Sequence, residues 1–159
     1  MTHIAIEYVI MVPVLIVQIA LIPLMATSLM NVWVDSSTTL ALKDAAGHLG
    51  STVQQMYFSL NHKTMLAGTI TQKSSLPTFI GNYPYTGNAT LKATSESTLN
   101  SSKVLDIMLR LTGAKISVTT SVVLGQNVLW HESTFTSNSL NACIRAEKLT
   151  NGTIILSFG

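Results

Sequence analysis

The residue types that can do chemistry are few in this chain and widely scattered. Its four histidines, His3, His48, His62 and His131, stand far apart, and none sits in a metal-ligand spacing. Cys143 is the single cysteine, so it closes no disulfide within the chain and reads as a small buried hydrophobe. His131 and Glu132 are neighbours on a predicted strand, which turns them to opposite faces and prevents an acid–base pair. Asp106 and Arg110, four apart on a predicted short helix, form a surface ion pair. No phosphate loop, nucleophile motif or glycine-rich dinucleotide turn is present. The expectation is a protein with no catalytic residue, no cofactor and no metal: not an enzyme.

One ionisable group remains, and it stands in an unusual place. Between Ile4 and Val34 the chain is apolar on almost every side, with Glu7 as its one charge. Such a run has no polar face to turn toward water and must be buried all round. As a helix it is about 45 Å long, against about 30 Å for the hydrocarbon core of a bilayer. It either spans a membrane with length to spare or packs against copies of itself. An unpaired carboxylate in hydrocarbon costs on the order of 2.5 kcal/mol or more. No Lys or Arg occurs from Met1 to Leu42, so the nearest cation for Glu7 is an α-amino group, available from the N-terminus of a neighbouring chain. The lack of basic residues on the flank Met1-Thr2-His3 also points to removal of a basic leader, with the hydrophobic segment retained.

The N-terminal remnant, Ala5-Ile6-Glu7-Tyr8 and the unbroken apolar run with Pro13 and Pro23 resemble the mature form of a type IV pilin. The stretch from Ala5 to Leu15 is most similar to archaeal and TadE-like pilins, and the resemblance covers about the first third of the chain. It implies cleavage by a prepilin peptidase, then assembly into a helical filament by a cytoplasmic ATPase and a membrane platform protein. It also implies that Glu7 pairs with the N-terminal amine of an adjacent subunit. The family places that glutamate fifth in the mature chain, which sets the mature start at His3 unless this lineage differs from Met1 onward. Met1, Ile4, Glu7, Tyr8, Pro13, Pro23 and Trp33 are the assembly residues under this reading.

Composition agrees with a subunit buried in an assembly. Charged residues make up 10% of the 159 and apolar residues 47%, where ordinary soluble domains carry roughly 25% charge. The net charge of +2 is scattered, with no basic run that would suit nucleic acid.

These features need positioning elements, and the sequence supplies two. Residues 1–60 read as one helix, hydrophobic over 1–34 and amphipathic over 35–60, where Leu40, Leu42, Ala45, Leu49, Val53, Met56 and Leu60 recur at helical spacing. Trp33 marks the water interface. Pro13 and Pro23 each remove a backbone hydrogen bond, and Gly47 and Gly50 weaken the second half. Asn61-His62-Lys63 and Gly68 bracket a boundary, and 61–159 read as an outward-facing β domain. Strands are predicted at 69–72, 89–94, 115–124, 128–134, 142–149 and 153–158. Hairpin loops are predicted at 124–128 and at 149–153, the second because Asn151-Gly152 supplies positive φ. Ser101 to Leu111 is predicted as the one short helix, opened by a serine cap and closed before Gly113. The fold class is therefore α+β: a long N-terminal helix followed by an antiparallel, sandwich-like β domain.

Three sequons, at Asn88, Asn100 and Asn151, fall at predicted turns or element starts of the exported domain. Glycans there would solvate a surface short of charge. Two function classes survive: a structural subunit of an extracellular adhesive filament, with the membrane as its host before assembly, or a single-span membrane-anchored binding domain. A minor pseudopilin that initiates filaments lies between them.

Overall fold

The computed structural model describes residues 2–93 and 102–159, with the backbone alone for residues 2–8, 10 and 93. Helix α1 spans Thr2–Asn61 and runs through Pro13 and Pro23 without ending. Eight strands follow: β1 Gly68–Lys73, β2 Tyr85–Ala93, β3 Lys103–Leu111, β4 Ser117–Leu124, β5 Val128–Trp130, β6 Thr134–Thr136, β7 Cys143–Lys148 and β8 Ile154–Phe158. The fold is α+β, a long helix followed by a largely antiparallel β domain. The chain divides into two compact units, Met1–Ser37 and Thr38–Gly159.

Within the second unit the strands form two four-stranded sheets, ordered β1-β7-β8-β5 and β4-β3-β2-β6. All pairings are antiparallel except β5 with β8. Alternation dictates which side of each strand is covered. On β3, Leu105, Ile107, Leu109 and Leu111 are buried, while Asp106, Met108 and Arg110 point outward. On β7 and β8 the inward set is Ile144, Ala146, Ile154, Leu156 and Phe158. Helix residues Leu42, Ala45, Ala46, Leu49, Val53, Met56 and Leu60 join both sheets in one apolar cluster. Phe135 of β6 meets Phe158 of β8 with ring centres 5.7 Å apart, so an aromatic contact also links the sheets.

Close approach explains two glycines. A Cβ at Gly50 would stand 2.9 Å from Val122 Cγ2, which fixes how near α1 lies to β4. At Gly87 it would lie 2.6 Å from Leu109 Cδ2.

The segment 101–111 differs from its reading as a short helix. Residues 103–111 form the central strand β3, because pairing with β2 on one edge and β4 on the other buries the alternating set Leu105, Ile107, Leu109 and Leu111, which a helical spacing competes with locally. Ser101, the proposed cap, and Thr94, the end of the strand read at 89–94, lie outside the described residues. That strand itself begins earlier, at Tyr85. The run read as one strand at 128–134 is split. His131 to Ser133 cross from one sheet to the other, held by His131 N–H to Leu156 O at 2.9 Å and Phe158 N–H to Ser133 Oγ at 2.8 Å. Residues 124–128 are accordingly no hairpin loop, since β4 and β5 belong to different sheets. The turn at 149–153 does join paired strands, with Lys148 opposite Ile154. Gly152 alone takes positive φ there, +84°. The loop is thus longer than a two-residue turn.

Candidate functional site

The surface with most to explain is on α1. Its first half is built from Ile, Val, Leu, Met and Ala, with no glycine before Gly47 and no cluster of side chains that compete for backbone hydrogen bonds. Val14, Leu15, Ile16 and Val17 are 52, 57, 60 and 53% exposed. Successive residues turn by about 100°, so these four cover the whole circumference. The pattern persists to Val34: Trp33 is 70% exposed and Met30 67%. The apolar surface is therefore a collar around the helix, not a stripe. By length and composition the apolar helix Met11–Asn61 can cross a membrane.

Of the assembly residues, Pro13, Pro23 and Trp33 lie along this collar. Thr27 Oγ1 donates to Pro23 O at 2.7 Å, a local bond beside the proline. The backbone of Ile4, Glu7 and Tyr8 is helical. Their side chains, and Met1 altogether, lie outside the described residues.

On the β domain, Asn151 is exposed at the turn between β7 and β8, as read, whereas Asn88, read at a turn or element start, is exposed within the paired strand β2; Asn100 lies outside the described residues. His48, His62 and His131 are exposed on separate elements, and His62 Nδ1 meets Thr64 Oγ1 at 2.7 Å. Among the described residues no three His, Cys, Asp or Glu side chains converge. Glu132 and His131 sit in the crossing segment, not on a strand. Asp106 does not pair with Arg110 as read; the strand sends it across to Lys92, with Oδ2 2.8 Å from Nζ, while Ser121 Oγ donates to Oδ1 at 2.6 Å. The Lys92 and Ser121 hydrogen bonds hold this carboxyl below its ordinary range.

A hollow of about 240 Å³ opens between Leu76, Tyr85, Phe135 and the loop around Ser137. Its hydroxyls are engaged internally: Tyr85 Oη donates to Pro77 O at 2.8 Å, and Ser137 Oγ donates to Thr78 O at 2.7 Å while accepting from Tyr85 N–H. They brace the loop and are not arranged as a nucleophile with a base.

Asn127 is an organising residue that spacing does not single out. Its Nδ2 donates to Asn61 Oδ1 at 3.0 Å and to Gly152 O at 2.9 Å, and its Oδ1 accepts from Tyr57 Oη at 3.3 Å. It ties the end of α1 to the 149–153 turn. The only hint in the sequence is an Asn in the turn-like Gly125-Gln126-Asn127.

Comparison with protein-family models, curated proteins and solved structures finds no match to this chain. The functional reading therefore rests on the residues themselves.

Proposed function

We propose that the chain is the structural subunit of an extracellular type IV pilus-like filament, polymerising through its N-terminal helix and displaying the β domain for surface contact. The observation that carries the proposal is the apolar collar from Val9 to Val34, whose large side chains are 45 to 72% exposed in the single chain. Seventeen such side chains, at about 1 kcal/mol or more each on burial, represent on the order of 20 kcal/mol before entropy is subtracted. A surface of that size is untenable in water, and copies of the same helix satisfy all of its sides. The resemblance of the first third to archaeal and TadE-like pilins supplies the rest of the scheme: peptidase processing, membrane residence, then extraction by an ATPase and platform protein.

Glu7 sets register in this scheme more than strength. One carboxylate paired with a neighbour's terminal amine contributes a small part of what the collar does, yet it penalises every stagger that leaves it unpaired in an apolar medium. Glu7→Ala is expected to leave exported, membrane-held monomer with few or short fibres. Fibre yield equal to wild type in that variant would defeat the pairing. Blocking the mature N-terminus should reproduce the same defect.

The same helix favours a second reading, because its length and composition also suit a single membrane anchor. The two part on one point: an anchored binding domain is fully competent as a single copy, with no regular fibre formed.

A further inference from the structure

We propose that Asn151 carries an N-linked glycan, attached to the folded domain at the tip of the β7–β8 turn. The inference rests on the outward placement of the domain in the filament reading, though not on polymerisation. Two independent observations separate this sequon from the one at Asn88.

The first is access. Asn88 is exposed, but its backbone lies within a ladder on both sides, opposite Met108 of β3 and Thr134 of β6. A transferase has to grip the acceptor peptide itself, which a strand paired on both edges does not permit. Asn151 lies beyond the last ladder pair, Lys148 with Ile154. A Cβ placed on Gly152 would meet nothing within 4 Å. The tip is nevertheless ordered: Leu149 N–H donates to Thr153 O at 2.8 Å, and Asn127 holds Gly152 O from below. Asn151 Oδ1 accepts from Thr153 N–H at 3.0 Å, so the amide's other branch, Nδ2, is the group presented outward.

The second is the neighbouring surface. An open hollow of about 480 Å³ lies beside the turn, lined by Met65, Leu66, Leu149 and Gly152 together with Lys63 and Lys148. Leu66 is 87% exposed and Met65 42%. Isolated apolar residues on a surface need no explanation, but a pair of them beside a hollow invites cover. The first sugars of a chain rooted at Asn151 would lie over Leu66 and Met65, turning the apolar faces of their rings to the protein and their hydroxyls to water.

The chemistry needs a lipid-linked oligosaccharide phosphate as donor and a membrane-bound glycosyltransferase. A bond forms between Asn151 Nδ2 and C1 of the first sugar. The C1–O bond to phosphate breaks, its electron pair leaves on the phosphate oxygen, and one Nδ2 proton passes to a base of the transferase.

The test is peptide mapping by mass spectrometry on the full protein isolated from its native cells, alongside labelling of intact cells with a membrane-impermeant amine reagent. The peptide containing Asn151 should be heavier than its sequence. That excess should vanish in Asn151→Gln and Thr153→Ala and persist in Thr153→Ser and Asn88→Gln. A bare Asn151 peptide from a chain that takes up the label overturns the glycan and leaves the filament reading standing. A bare peptide from a chain the label never reaches overturns both.

Discussion

Tyr85 and Asp106 show how single residues connect the fold to pH. Tyr85 is fully buried, and its hydroxyl donates to Pro77 O at 2.8 Å. Burial pushes its phenol up to about 12 from 10.0. An unfolded chain then releases that proton first, so the contribution of Tyr85 is level below pH 10 and falls from there toward pH 12, by on the order of 2 kcal/mol. Alkaline unfolding monitored by circular dichroism should show this loss, and Tyr85→Phe should remove it at some cost in stability at neutral pH. Asp106 has the opposite sign. Its carboxyl is held down by the Lys92 and Ser121 hydrogen bonds, so its contribution is present above the ordinary value of 3.8 and is lost as pH falls below it. Asp106→Asn should be less stable than the parent at pH 6, and the difference should be smaller at pH 3, as read from thermal midpoints. Equal differences at both values would contradict the assigned contacts.

Among the elements, β3 and α1 illustrate what a sequence makes legible. The apolar half of α1 was unmistakable because its composition is uniform over many turns, and the amphipathic half because Leu42, Ala45, Leu49, Val53, Met56 and Leu60 reach the core at the expected spacing; Leu40, read with them, is instead 60% exposed. β1 and β8 were equally readable from β-branched residues between turn signals, whereas β7, with Ile144 as its single β-branched residue, was readable from its flanking turns. Residues 103–111 were not. Val104, Leu105, Met108 and Leu109 fit a helical face, and the alternating set Leu105, Ile107, Leu109, Leu111 fits a strand; only the pairing of β3 with both β2 and β4 decides between them. The crossing at His131 to Ser133 was hidden for a similar reason, since a change of sheet leaves no local mark. Asn127 was missed because its partners, Tyr57, Asn61 and Gly152, come from distant parts of the chain. Replacing it with Ala removes a side chain that satisfies three partners and should cost about 1–3 kcal/mol. Thermal unfolding should register the loss, and hydrogen exchange should rise at the 149–153 turn and at the end of α1. Unchanged protection at both places would mean that the three bonds contribute nothing.

At the level of the whole chain, two kinds of surface coexist. Thr38–Gly159 closes around its own apolar cluster and meets water with hydroxyls, amides and few charges, whereas the described large apolar side chains from Val9 to Val34 are without cover. The first closes its core upon itself, and the second is the surface that the filament proposal assigns to neighbouring copies. In the proposed filament, lipid covers the collar before assembly and sister helices cover it afterwards. The measurement that bears most directly on this is electron microscopy of the extracellular protein, with helical reconstruction of any fibres and sedimentation of the detergent-solubilised chain beside it. We expect uniform thin fibres whose axis is filled by the Ile4 to Val34 helices, each Glu7 beside a neighbour's terminal amine. A chain that stays a single copy in detergent and in bilayers, with no regular fibre in any preparation, would contradict it.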